Sequence, residues 1–251
     1  MRLLVHADDL GMSAEVNAAI LGSLAAGSAT STSALATGPA FHAAMESLPP
    51  GTDLGVHLDL TEFPALTRHP ALERVRRAAI DDPCSVLEAL ARCAREDAPA
   101  ILEEWSAQVA AVRARHPVTH LDSHHHSHWQ PPLWPILRDL MQKTGIRAVR
   151  CVGAWHPGGT WIQGRLQAAR ATRFRLAFRG AVTTGGFANA TAFRALAEGR
   201  RLRRDTMEVM VHPGNPHSDR YAAELEWIAG WRRDVPRIGW GALVMAAQSP
   251  R

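Results

Sequence analysis

Cysteine and lysine are scarce in this chain, and each scarcity excludes a class of protein. The three cysteines, Cys84, Cys93 and Cys151, are odd in number and lack the close pairing of a disulfide framework or a zinc knuckle. We therefore expect reduced thiols and a cytoplasmic location. Lys143 is the single lysine, so the net charge of +4 comes almost entirely from arginine. Only residues 200–204 cluster arginines, as a solvated helix end commonly does, and we expect no nucleic-acid partner.

Long apolar runs are also missing. No segment approaches the length of a membrane span, and charged residues follow the first five so closely that no signal peptide is expected. No internal repeat or low-complexity linker is visible. A Gly-rich phosphate loop and a nucleophile elbow are absent too, which removes the signatures of two large enzyme classes. Hydrophobic residues make up 46% and charged residues 21%, as in an ordinary globular protein.

Short apolar segments alternate with helical ones along the whole chain. The strand candidates are residues 2–7, 30–36, 53–61, 118–123, 145–152, 182–186 and 208–214. Such alternation favours a parallel sheet with its helices outside. We therefore predict one α/β domain over residues 1–251, a (β/α) barrel-like fold of seven or eight mostly parallel strands.

Residues 119–128 (THLDSHHHSH) hold five of the thirteen histidines and an aspartate. If they include a short strand, alternation sends Asp122 and His124 to one side and Ser123 and His125 to the other. One ion can then take one or two ligands from this stretch, with the remaining side chains as helpers. A His-rich surface loop is the alternative interpretation.

Polar side chains also occupy the inferred carboxyl ends of several strands, namely Asp8, Asp9, His57, His124 and His212. In a barrel these ends converge on one face. A carboxylate with two imidazoles is a common set of ligands for a catalytic divalent ion. The pattern therefore predicts metal-assisted hydrolysis, although a capping acid pair and a buried structural histidine remain alternatives.

Four ordered motifs carry a family resemblance: residues 6–11 (HADDLG), 55–61 (GVHLDLT), 119–126 (THLDSHHH) and 208–214 (EVMVHPG). Together they resemble the YdjC family of carbohydrate deacetylases, whose members include chitooligosaccharide deacetylases and hopanoid-biosynthesis proteins. The resemblance implies a barrel-like fold, a bound divalent metal ion (Mg²⁺ or Zn²⁺) and removal of an acetyl group from an N-acetylated sugar.

Carried over motif by motif, the resemblance makes Asp9, His57 and His124 the metal ligands. It makes Asp8 the base that activates water and His212 the general acid or oxyanion partner. The division of roles between Asp8 and Asp9 is open, because sequence alone does not orient either carboxylate. Two further residues are predicted to contact substrate, Arg150 and His125. For Arg150 a helix-facing salt bridge is the alternative.

The chain also departs from the family pattern. His6 replaces a usual asparagine and Leu10 a usual phenylalanine, while a glycine after Thr61 and a proline and acid after Arg150 are missing. The expected partner is an acetamido sugar or a glycolipid, and a homodimer is left open. The alternatives are a metal-dependent hydrolase of another amide or ester, and a catalytically silent sugar-binding protein.

Overall fold

A computed structural model describes residues 1–81, 86–153, 161–199, 202, 204–215, 220–232 and 234–248, with the side chains of 161 and 220–224 left aside. The described residues form one parallel sheet of six strands in the order β4-β3-β2-β1-β6-β5. The strands are β1 (Arg2–Leu10), β2 (Ser31–Ala34), β3 (Leu54–Leu58), β4 (His120–Ser123), β5 (Gly186–Asn189) and β6 (Thr206–Val211).

The sheet is curled and barrel-like, as predicted, but it has six strands where seven or eight were expected. Residues 145–152 do not form a regular strand. They pair with β4 through a single bridge from Val149 to Leu121, and Ala148 forms another bridge to Val182. The pairing stays short because β4 turns into a 3₁₀ segment after four residues. Val182 lies only four residues before β5, so the chain links the two edges of the sheet.

Helices connect the strands and cover the sheet. They are α1 (Ala14–Ala25), α2 (Phe41–Ser47), α3 (Pro70–Asp81), α4 (Val86–Glu96), α5 (Ala98–Arg113), α6 (Trp134–Thr144), α7 (Trp161–Ala177), α8 (Ala190–Glu198), α9 (Arg220–Gly230) and α10 (Trp240–Gln248). None of these helices combines the length and hydropathy that crossing a bilayer requires. Ser13 caps α1, since its Oγ accepts a hydrogen bond from the Val16 amide at 3.2 Å.

Helix α10 begins at Trp240 and lies outside the segments that the sequence pattern singled out. The Trp240 indole is fully buried and stacks on the His120 ring with centroids 4.9 Å apart. Around it Leu4, Ala148 and Leu243 form a small apolar cluster near the amino ends of the strands. Apolar packing therefore contributes to that end of the sheet, and the predicted site residues lie towards the carboxyl end.

Candidate metal centre and active site

Asp9, His57 and His124, which we call the triad, meet at the carboxyl ends of β1, β3 and β4. One ligand atom from each lies within 4.8 Å of the others. The Asp9 Oδ1 atom is 3.3 Å from His57 Nε2 and 3.0 Å from His124 Nδ1. All three residues are buried. The structure thus brings together the three side chains that the family resemblance implies as ligands.

A backbone irregularity allows both aspartates of β1 to reach the interior. The pairing of β1 with β2 shifts register between Ala7 and Leu10, and Asp9 has a φ of 74°. Regular alternation would send Asp8 and Asp9 to opposite faces of the sheet. The left-handed residue breaks that alternation, and aspartate tolerates this conformation better than most residues. Asp9 then faces the imidazoles while Asp8 remains among the buried charges.

The His-rich stretch follows the predicted alternation and then turns sharply. His120, Asp122 and His124 reach the interior cluster, whereas the Ser123 hydroxyl bonds to His128 Nδ1 on the other side. Both residues after His124 have positive φ, 50° for His125 and 53° for His126. Two consecutive left-handed residues are strained and turn the chain away from the strand direction. The turn leaves His125 exposed, with its ring centroid 4.2 Å from that of His124.

Asp122 orients the His57 ring. His57 Nδ1 donates to Asp122 Oδ1 at 2.9 Å, and this bond leaves Nε2 facing Asp9. The Ser33 hydroxyl also donates to Asp122, at 2.9 Å. A ligand imidazole held by a carboxylate in this way keeps one tautomer and becomes more basic. The Ser33 hydroxyl thus helps to hold the carboxylate that orients His57.

Arg150 is fully buried and bonds three carboxylates. Its terminal nitrogens donate to both oxygens of Asp8 at 2.8 and 2.7 Å, and Nε donates to Glu208 at 2.8 Å. The third carboxylate is Asp122, 2.9 Å from Nη2. We call these four residues the arginine hub. Arg150 thus forms salt bridges, but with carboxylates of three strands and not toward a helix as the alternative had it. Its predicted contact with substrate stays a prediction.

The pKa values indicate an excess of negative charge around the triad. Burial would raise the pKa of Asp9, but hydrogen bonds from His124 and His57 hold it well below its ordinary value. Burial would lower the pKa of His57, yet Asp122 and Asp9 raise it well above the usual range. The pKa of His124 is raised to about 9, against its burial, by Asp9 and Glu62. Positive charge is thus favoured at this position.

The ligand set and charges fit a divalent cation. Two imidazoles and one carboxylate converge in the triad. Nearby, the buried carboxylates of Asp8, Asp9, Asp122 and Glu208 outnumber the buried guanidinium of Arg150. An ion held by two histidines and a carboxylate keeps coordination positions open. The chemistry of these residues therefore suits a catalytic metal ion.

The remaining predicted site residues lie at the rim. In the parallel register Ala7 pairs with Val211, so half-buried His212 directly follows β6 at the carboxyl end of the sheet. His125 Nδ1 lies 3.1 Å from the Thr61 hydroxyl, beside the triad. Catalysis by His212 and substrate contact by His125 stay predictions.

Comparison with known proteins identifies the family. The profile described as YdjC-like protein matches residues 2–234. This chain belongs to the YdjC-like protein family. A chitooligosaccharide deacetylase of Escherichia fergusonii is 32% identical to this YdjC-like protein over 219 residues, covering 84% of this chain and 81% of the relative. A chitooligosaccharide deacetylase of Klebsiella pneumoniae is 34% identical over 224 residues, with the same coverage of both chains.

A shorter match and one solved structure extend the comparison. A carbohydrate deacetylase of Halalkalibacterium halodurans is 34% identical over 147 residues, covering 57% of this chain and 61% of the relative. The crystal structure of a putative cellobiose-phosphate cleavage protein from Enterococcus faecalis superimposes with a TM-score of 0.69. It covers 96% of this chain and 98% of its own, at 20% identity. That likeness supports the fold of the YdjC-like protein.

Two polar residues of the site, Glu208 and Glu62, were not predicted from the sequence. Glu208 is fully buried in β6 and bonds to Arg150. The signal was an acid within an otherwise apolar strand, TMEVMV. Glu62 lies at the rim, with its Oε2 atom 3.7 Å from His124 Nε2. No periodicity distinguishes it from an ordinary loop acid, so only the folded chain locates it.

Proposed function

We propose that this YdjC-like protein is a metal-dependent carbohydrate deacetylase that removes an acetyl group from an N-acetylated sugar or glycoconjugate. The observation that carries the proposal is the convergence of Asp9, His57 and His124 beside a second buried carboxylate, Asp8. The names of the relatives support the same reaction class, because those covering most of this chain are called chitooligosaccharide deacetylases.

Asp9, His57 and His124 are the proposed ligands of a divalent ion, with Mg²⁺ and Zn²⁺ as the candidates. When bound, such an ion polarises a carbonyl and lowers the pKa of water. Asp122 holds the His57 ring by a 2.9 Å bond to Nδ1, so the opposite nitrogen remains directed at the ion site. Glu62 lies beside the other nitrogen of His124.

Asp8 is the proposed base that accepts a proton from the attacking water. Burial would raise its pKa, but Arg150 lowers it, so the carboxylate is ionised near neutral pH. Arg150 bonds both oxygens of Asp8, and each carboxylate oxygen keeps a further lone pair. Arg150 therefore fixes the direction of Asp8 while leaving it able to accept a proton.

His212 is the proposed proton donor to the departing nitrogen, with oxyanion stabilisation as its alternative role. Both Asp8 and His212 lie near the carboxyl ends of the neighbouring strands β1 and β6, as suits two groups that work on the same amide. In the reaction a water oxygen bonds to the acetyl carbon, the carbon–nitrogen bond breaks, and acetate and a free sugar amine form. His125, exposed next to the triad, is proposed to contact the sugar.

An acetate-release assay tests the proposal. Purified protein is incubated with N-acetylglucosamine, N,N′-diacetylchitobiose and an N-acetylated glycolipid, before and after EDTA treatment and after Mg²⁺ or Zn²⁺ is returned. We expect acetate that disappears with chelator and returns with metal. Sugar binding without acetate from metal-loaded protein would instead support a silent sugar-binding protein. Chelator-insensitive acetate release would contradict the role of the metal.

A further inference from the structure

Helix α7 carries large apolar side chains on its outer face. Ile162, Leu166 and Leu176 are 63%, 65% and 59% exposed, and they are three of the eight large apolar side chains that are exposed in the described part of the chain. The outermost side of a surface helix is ordinarily its polar side. Exposed apolar side chains that are grouped in this way are typical of a surface that contacts another molecule.

The three side chains lie along one straight stripe. Ile162, Leu166, Ala169, Arg173 and Leu176 follow one another at alternating intervals of four and three residues, and this repeat keeps them on one side of an α-helix. We call these five residues the outer stripe. At 1.5 Å per residue the stripe is about 21 Å long. It can therefore contact another surface over four turns of helix.

The opposite side of α7 is fixed within the protein. Ala171 and Phe174 are buried there, and the Phe174 ring packs against the rings of Trp129 and Trp134 with centroids 4.9 and 5.5 Å apart. A free amphipathic helix can sink into a groove of its partner, but α7 is held on one side and cannot. Only the outer stripe is accessible, which suits a flat partner surface.

The charges around the outer stripe are of one sign. No aspartate or glutamate occurs between Asp139 and Glu198, whereas residues 161–179 contain five arginines. Arg173 lies within the stripe and Arg165 beside it, and both are exposed. An anionic surface is complementary to this face. Two copies of the chain paired through the stripe would instead bring their arginines together, with no acid of α7 to compensate them.

We propose that the outer stripe docks this YdjC-like protein onto an anionic lipid surface. Ile162, Leu166 and Leu176 enter the boundary between headgroups and acyl chains, and Arg173 extends to the phosphates. Interfacial helices combine apolar side chains with arginines in this way, and their binding depends on both the apolar area and the anionic lipid. The association is peripheral, and it goes beyond the deacetylase function without depending on it.

Sedimentation with vesicles tests the docking. Purified protein without sugar is mixed with vesicles of phosphatidylglycerol and phosphatidylcholine in equal parts, or of phosphatidylcholine alone, and the bound fraction is measured against lipid concentration. We expect binding to the anionic vesicles and much weaker binding to the neutral ones. Raising NaCl from about 0.1 M to about 1 M should weaken the binding, because the Debye length falls from about 10 Å to about 3 Å. Absence of binding to the anionic vesicles would overturn the proposal.

Single substitutions locate the contact. Leu166→Gln should lower the partition coefficient about tenfold, the effect of one leucine that is no longer buried. Arg173→Gln should lower it about fivefold, the effect of one basic residue near an anionic surface. The matched controls Leu87→Gln on α4 and Arg113→Gln on α5, also at exposed positions, should keep the coefficient. Equal coefficients in the variants and the controls would mean that the outer stripe is not the lipid contact.

Folding and the other possible occupants are checked with the same variants. Exposed substitutions change stability little, so Leu166→Gln should keep the Tm of the intact protein. Analytical ultracentrifugation tests pairing of two copies, and a dimer that Leu166→Gln dissociates would overturn lipid docking. Soluble polyglutamate tests an acidic protein partner. Binding of polyglutamate as tight as that of anionic vesicles, and unaffected by Leu166→Gln, would show attraction by charge alone and would also overturn the proposal.

Discussion

The triad and the arginine hub lie side by side, but their buried carboxylates have different positively charged or hydrogen-bonding partners. In the hub, Arg150 supplies the positive charge through bonds to Asp8, Asp122 and Glu208. In the triad, the bonds of Asp9 that the structure describes come from imidazoles alone. The hub thus receives a positive charge from the protein itself, whereas the triad is suited to a cation from solution. One region fixes the positions of charges, and the other receives an ion.

The hub is itself only partly compensated. Burial would raise the pKa of Asp122, but Arg150 and His57 lower it well below its ordinary value. The pKa of Glu208 is instead raised by burial, even though Arg150 bonds to it. One guanidinium therefore favours ionisation of the carboxylates nearest the triad and leaves the more distant one less stabilised. The negative charge is concentrated where a cation would bind.

The largest effect is expected from removing a triad imidazole. His57→Ala or His124→Ala should abolish metal binding and lower acetate release on the order of 1,000-fold, because the ion supplies several kcal/mol of transition-state stabilisation. Metal content is measured by elemental analysis and activity by acetate release. The control His125→Ala should keep the metal. Full metal occupancy in the double variant of His57 and His124 would contradict the ligand assignment.

Removing the guanidinium of the hub should mainly reduce the stability of the folded protein. Arg150→Met leaves three buried carboxylates without their cation and should lower the free energy of unfolding by about 3–5 kcal/mol. Urea unfolding measures the change, with Arg147→Met, at an exposed position on the same segment, as the control. The same variant tests the predicted substrate contact. A raised KM at unchanged stability would make Arg150 a binding residue and would remove the distinction between hub and triad.

A substitution at Asp122, where the two regions join, should have a smaller effect. Asp122→Asn removes the charge that orients His57, and should weaken metal affinity about 10–100-fold with the triad still present. Titration with Zn²⁺ or Mg²⁺ by calorimetry measures this. Asp53→Asn is the matched control, since Asp53 bonds Thr119 and the Gly241 amide at the opposite end of β3. Equal losses in both variants would indicate general destabilisation.

Position along the chain predicted which end of the sheet carries the site, whereas the family resemblance singled out the triad as the ligands. Asp9, His57 and His124 follow apolar segments, and parallel strands bring their carboxyl ends to one edge of the sheet. The barrel-like parallel sheet was predictable on the same ground. The number of strands was not, because a segment such as residues 145–152 has strand-like composition whether or not its neighbour is long enough to pair with it.

The role of Arg150 and the position of Trp240 depend on contacts between residues that are far apart in the chain. The local sequence around an arginine near a strand end does not show whether the side chain faces solvent. Arg150 instead contacts three carboxylates, from β1, β4 and β6. Likewise, the shift that lets Asp8 and Asp9 both face inward depends on the φ of Asp9, which composition does not reveal. Tertiary contacts decide these features, and local patterns do not encode them.

The smallest expected effect is that of replacing His128, which lies behind the hub. It concerns the pH dependence of stability and is absent at neutral pH. Burial lowers the pKa of His128 to about 4, although a bond to the Arg150 carbonyl opposes the shift. The unfolded chain takes up the proton near pH 6.5, so this residue favours unfolding as the pH falls from about 6.5 towards 4, and has no effect above that range. His128→Gln should therefore flatten the dependence of stability on pH, by roughly 2 kcal/mol at pH 5. Urea unfolding at pH 7, 6 and 5 measures the slope, and the exposed His42→Gln is the control. An unchanged slope in His128→Gln would mean that the imidazole is not held neutral beside the hub.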